Sequence, residues 1–251
     1  MDSRPVDSRL VNVVVDAADP TALAHWWRRA LDWRMGYTDA HETDVVPPEG
    51  EPGIELVFVP GGRRKEPGRD PQRVHLDLDS ASPADQRETV EFLLDAGARH
   101  ADVGQGEVPW VVLADPEGNE FCVLDPRPEY DGTGRVAAVV HLAADPGALA
   151  GFWAPLAGMT LQRGDSRVAQ LRGASGPFLE FVASPTPHAR KNRWHLDVRA
   201  TRSGRGRERV LSNALRAGAR PADVGQGPDV SWTVLADPEG NEFCVLSGLV
   251  D

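Results

Sequence analysis

The sequence predicts an α+β protein made of two copies of one domain, each copy built from two β-α-β-β-β modules. Two observations carry this. The thirteen-residue string VLADPEGNEFCVL occurs at Val112 to Leu124 and again at Val234 to Leu246, an offset of 122 residues in a chain of 251. Other anchors keep nearly that spacing: AGAR at Ala96 and Ala217, ADVGQG at Ala101 and Ala222, HLD at His75 and His195. A period this long is a whole-domain duplication, because solenoid repeats run about 20 to 50 residues.

Each copy opens on a β-branched strand, LVNVVVDA from Leu10 in the first. Asp19-Pro20 then supplies a helix N-cap with proline at the first helical position. Leu23, Trp26, Trp27, Ala30 and Leu31 fall on one helical face, repeated by Leu149, Phe152, Trp153 and Leu156. IELVFVP from Ile54 and FLEFVASP from Phe178 are strand-like and end at proline. VHLDLD and WHLDVR are the next strands. Amphipathic helices follow, with Val90, Leu93 and Leu94, or Val210, Leu211, Ala214 and Leu215, expected to face the core. Gly97 and Gly218 stand where a helix end favours a left-handed residue. DPEGN reads as a turn, its Asp, Pro, Gly and Asn serving that turn alone, and EFCVL closes each copy. DPRPEYDGTG from Asp125 is the natural linker, which gives domains at 1–126 and 135–251 with a linker at 127–134.

Composition bounds the function. With 41% hydrophobic and 26% charged residues the chain can bury two ordinary cores. A net charge of −11 repels phosphate backbones and anionic head groups, so neither nucleic acid nor membrane is an expected partner. No apolar run approaches the length of a membrane span, and MDSRPVDSRL lacks the apolar stretch of a signal peptide, so the expected location is cytoplasmic. The two cysteines, Cys122 and Cys244, hold the same position in the two copies and are expected as reduced thiols.

ADP followed by an aromatic helix, the HLD strand, AGA and DPEGNEF together resemble the vicinal oxygen chelate superfamily, in its glyoxalase-like and bleomycin-resistance-type branch. The resemblance covers nearly the whole chain. It implies tandem domains whose modules form a curved mixed sheet around a cavity. It leaves open whether each copy closes its own eight-stranded sheet or exchanges modules with the other, and hence whether the chain works as a monomeric pseudo-dimer or a homodimer.

The superfamily's metal ligands come from four strands. Carried onto this chain, the first falls on Asn12 and Ala138, the second on Glu55 and Glu180, the third on His75 and His195, and the fourth on Cys122 and Cys244, where relatives carry glutamate. Glu120 and Glu242, two residues before the cysteines on the same strand face, are alternative third ligands. The resemblance thus implies a divalent metal, zinc, iron, nickel or manganese, as the candidate cofactor, with the cysteines as the main reason to doubt it. Without metal, His75 with Glu55, and His195 with Glu180, are expected to form acid–base pairs within each copy, since burial and mutual charge tune both groups toward neutrality. The plainer reading of each histidine is a hydrogen-bonded rim residue oriented by Asp77 or Asp197. Trp26, Trp27 and Trp153 are read as core, whereas Trp110 and Trp232 are candidates for flat contact with a ligand, alongside Asn12 and the two cysteines. The basic loops GGRRKEPGRDPQR and HARKNR are either a solvated face or a positive cavity mouth.

The expected function is metal-poor or metal-independent binding of an oxygenated or aromatic small molecule. The alternative is a lyase, isomerase or dioxygenase that uses the histidine and glutamate pair or an unusual metal site.

Overall fold

The computed structural model describes residues 6–66, 72–202, 204–227 and 229–250. The first copy consists of β1 (Ser8–Ala17), α1 (Pro20–Leu31), β2 (Arg34–Thr38), β3 (Thr43–Val46) and β4 (Glu55–Pro60), then β5 (Val74–Leu78), α2 (Pro83–Asp95), β6 (Arg99–His100), β7 (Val111–Ala114) and β8 (Glu120–Val123). The second repeats it: β9 (Val136–Ala143), α3 (Pro146–Ala157), β10 (Thr160–Gly164), β11 (Val168–Arg172), β12 (Phe178–Ala183), β13 (Trp194–Thr201), α4 (Arg207–Arg216), β14 (Arg220–Pro221), β15 (Thr233–Ala236) and β16 (Glu242–Val250). Four β-α-β-β-β modules are therefore present, as the residue pattern predicts.

The modules are exchanged between the copies. One eight-stranded sheet runs β14-β15-β16-β13-β1-β4-β3-β2, and the other β10-β11-β12-β9-β5-β8-β7-β6. The first module of copy one thus shares a sheet with the second module of copy two, and the reverse. At each seam two strands from different copies pair antiparallel, β1 with β13 and β5 with β9.

The local signals act as anticipated. Asp19 and Asp145 cap α1 and α3 by accepting from the backbone N–H of Ala22 and Ala148. Gly97 and Gly218 take φ of 102° and 110°, which only glycine adopts without strain. The α1 and α3 faces named above are buried, and Trp27 meets Trp194 of the other copy edge to face at 5.8 Å, so both sheets pack on one continuous core. One expectation fails: Leu215 is 45% exposed, because the short α4 turns only Val210 and Ala214 fully inward.

The DPEGN turns also do more than turn. Asp115 accepts the Trp27 indole N–H at 3.1 Å, and Glu117 accepts the backbone N–H of Ala18 and Asp19, each at 2.8 Å. Glu239 does the same for Ala144 and Asp145. Each glutamate lies where the exposed N–H groups of a helix start favour a carboxylate. Arg193 and the buried Arg73 reach Glu117 and Glu239 from the other copy, at 3.1 and 3.2 Å. The turn is thereby a clasp between copies. No described helix is long and apolar enough to cross a membrane.

Candidate functional site

Each sheet is concave and encloses a cavity on one face, of about 640 Å³ in the β5/β9 sheet and about 930 Å³ in the β1/β13 sheet. Module exchange decides which residues meet. His75 shares its cavity with Glu180, and His195 with Glu55. The pairs expected within each copy, His75 with Glu55 and His195 with Glu180, are therefore not formed, because β4 and β5 belong to different sheets.

Register adds a second correction. In the smaller cavity Glu180 stands level with Val140 and His75 in one row across β12, β9 and β5. In the larger one Glu55 stands level with Asn12 and Asp197, one row further along, and Val57 occupies the row of His195. Glu55 and Glu180 are thus offset by two residues, or about 7 Å along the strand. β12 ends two residues before its proline whereas β4 includes Pro60, so the two strands are placed differently against their closing prolines.

The parallel ladders place Asp77 beside Cys122 and Asp197 beside Cys244, with each histidine two residues earlier on the same strand face. His75 Nε2 and Asp77 Oδ1 are 3.5 Å apart, as are His195 Nε2 and Asp197 Oδ1. Cys244 Sγ lies 3.6 Å from His195 Nε2. Both cysteines are buried free thiols. Burial holds His75 down at about 4 and His195 at about 3, so both rings are neutral at pH 7. Burial also pushes Asp77 and Asp197 up to about 7 and raises both thiols, helped by the adjacent aspartates.

The two cavities differ in how their carboxyl groups are served. Glu180 Oε1 accepts from Tyr130 Oη at 2.8 Å and from Gln170 Nε2 at 2.9 Å. Burial raises its pKa while these donors oppose the rise. In the larger cavity Asp44 takes the place of Gln170 and lies against Glu55, so two carboxyl groups adjoin. Burial, then the charge of Glu55, raises Asp44 to about 7. Asn12 Oδ1 and Asp44 Oδ1 are buried with no hydrogen-bond partner among the described residues.

Trp110 lines the smaller cavity, with the Arg127 guanidinium 5.5 Å from its ring centre, and Trp232 lines the larger. Glu120 and Glu242 also line these cavities, but their carboxylates engage Lys65 and His188. Of the basic-loop residues, Lys65, Arg73, Lys191 and Arg193 are drawn into ion pairs, Arg63 and Arg64 are exposed, and residues 67–71 lie outside those described. Tyr130 and Arg127 were not foreseen as cavity residues. Both fall in the segment read as linker, where a 3₁₀ turn at Pro128–Tyr130 buries the tyrosine.

Among the described residues two groups could hold a metal ion: His75, Asp77 and Cys122, and His195, Asp197 and Cys244, each with one N, one O and one S donor atom within 4.8 Å of one another. Asp77 Oδ1 and Asp197 Oδ1 are buried without a hydrogen-bond donor. Unsatisfied acceptors converging with a thiol and an imidazole fit an ion's donor set.

Residues 12–124 and 137–246 each match the family model of the Glyoxalase-like domain. No curated protein sequence matches the chain. Among solved structures, glyoxalase I from Zea mays is 14% identical, with a TM-score of 0.67 over 96% of this chain and 92% of its own. A Bacillus subtilis protein provisionally assigned as a dioxygenase is 13% identical, with a TM-score of 0.60 over 97% and 86%. At such identity these structures show a shared fold. The two family matches, the four modules and the paired cavities agree, and the chain belongs to the Glyoxalase-like domain family in a tandem two-copy form.

Proposed function

We propose that the protein binds small oxygenated or aromatic molecules in both cavities, and that one chain suffices because it supplies both halves of each sheet. The observation that carries this is the repeated combination of a polar floor, histidine with aspartate and cysteine, and a tryptophan wall within one concave face. The volumes fall in the range of small-molecule pockets, which are mainly apolar with a few placed polar groups. Because the histidines are neutral and the aspartates half-protonated near pH 7, the floor offers both donors and acceptors to hydroxyl or carbonyl groups. A divalent ion held by these residues would polarise such an oxygen.

A second reading is catalytic. Asp77 and Asp197 at about 7 are poised for proton transfer near neutrality, which favours lyase or isomerase chemistry.

Calorimetric titration with catechol, with indole as the non-oxygenated comparison, tests the binding reading. Trp110→Ala and Trp232→Ala are each expected to weaken catechol binding at one cavity. Binding that is unchanged in the double variant would overturn the assignment.

A further inference from the structure

We propose that His75, Asp77 and Cys122 in one sheet, and His195, Asp197 and Cys244 in the other, form two sites for a thiophilic divalent ion of the zinc class, with the carboxylate drawn from the histidine's own strand.

The spacing is the first argument. An N–H···O hydrogen bond spans about 2.7 to 3.2 Å, so 3.5 Å between His Nε2 and Asp Oδ1 in both sites is too long for one. Zinc bonds of about 2.0 to 2.3 Å at the tetrahedral angle set neighbouring donor atoms roughly 3.3 to 3.7 Å apart. The histidine–aspartate separations and the 3.6 Å between Cys244 Sγ and His195 Nε2 fall in that interval. Three of the donor separations thus match ligand spacing, and all the donor atoms of each group lie within 4.8 Å of one another.

Desolvation is the second argument. Asp77 Oδ1 and Asp197 Oδ1 are buried with no donor, an arrangement that is unfavourable unless something compensates it. Parallel pairing of Asp77 with Cys122 and of Asp197 with Cys244 fixes the donor atoms on rigid strands, so little reorganisation is needed to receive an ion.

The ligand set also decides the class of ion. A thiolate beside imidazole and one carboxylate selects zinc, cobalt or cadmium over magnesium or calcium, which require oxygen ligands. Glu180 is already engaged by Tyr130 and Gln170, and Glu55 stands a row away from His195. The aspartates therefore take the carboxylate role assigned from sequence to the glutamates.

The test uses the full-length chain, reduced and stripped with a chelator, titrated with cobalt(II) in the absence of any organic ligand, so its outcome is separate from that of the ligand-binding proposal. Two equivalents are expected, with a near-ultraviolet thiolate-to-cobalt charge-transfer band that zinc abolishes and magnesium leaves unchanged. Cys122→Ser and Cys244→Ser should each remove one equivalent and about half the band, and Asp77→Asn should weaken its site by at least about tenfold while Glu180→Gln does not. A missing charge-transfer band, a band that survives the double cysteine variant, or loss in Glu180→Gln without loss in Asp77→Asn would overturn the proposal. Should the cysteine variants not fold, a weakened site in Asp77→Asn beside an unchanged Glu180→Gln supports it, and two unweakened equivalents in Asp77→Asn overturn it.

Discussion

Tyr130 donates its hydroxyl to Glu180 Oε1 at 2.8 Å, tying the segment that joins the two copies to the far strand of the smaller cavity. The bond supports a carboxyl group that burial would otherwise penalise. Tyr130→Phe is expected to destabilise the protein by about 1 to 2 kcal/mol in urea unfolding. It should also raise the Glu180 pKa further, since one of its two opposing donors is gone.

The clasp glutamates give a second expectation. Glu117→Ala removes the acceptor for Ala18 N–H and Asp19 N–H and leaves Arg193 without its carboxylate. A loss of about 2 to 4 kcal/mol should follow, read from denaturant midpoints, with a comparable loss for Glu239→Ala. A loss below 0.5 kcal/mol (about the scale of an ordinary surface change) would count against the clasp.

Asp44 makes stability depend on pH. Its folded pKa of about 7 lies above the ordinary carboxylate value, so the folded state holds a proton that the unfolded state releases between about pH 4 and 7. By that group's account stability falls as pH rises through this window. Asp44→Asn should therefore stabilise the protein at pH 8, on the order of 2 kcal/mol, and have little effect at pH 4. Equal effects at both values would show that the charge is not the cause.

The thiols should be inert in the metal-free protein. Burial and the neighbouring aspartates raise both cysteines, and thiolate is the reactive form. Labelling of native protein at pH 8 is expected to be orders of magnitude slower than labelling in urea, and equally rapid labelling would refute the buried placement.

Much of the fold was legible in the sequence. The repeated string, the Asp-Pro caps and the aromatic helix faces are local signals, and local signals survive translation into structure. The partner of each module was not legible, because β1 can pair with the same edge of either copy's second module and the strand patterns are nearly identical. The site followed the same division. The histidines, the cysteines and the tryptophans were found by position in a motif. Glu55 and Glu180 were given one role, yet they stand two residues apart in register, which only the ladder reveals. Tyr130 was hidden in a segment whose proline and glycine content signals a turn, and nothing local says that such a turn carries a buried ring. The cysteines spoke against a metal when read alone, yet in the folded chain each stands beside an aspartate and a histidine.

Because every cavity takes one module from each copy, neither half of the gene can drift on its own. Changes in the first copy fall on the β4 wall of one cavity or on the histidine strand of the other, so each half of the chain answers to both cavities. Duplication ordinarily releases one copy to vary. Here the interlocked sheets withdraw that freedom, and specialisation of the two cavities has to proceed through paired substitutions that each half tolerates in two settings at once.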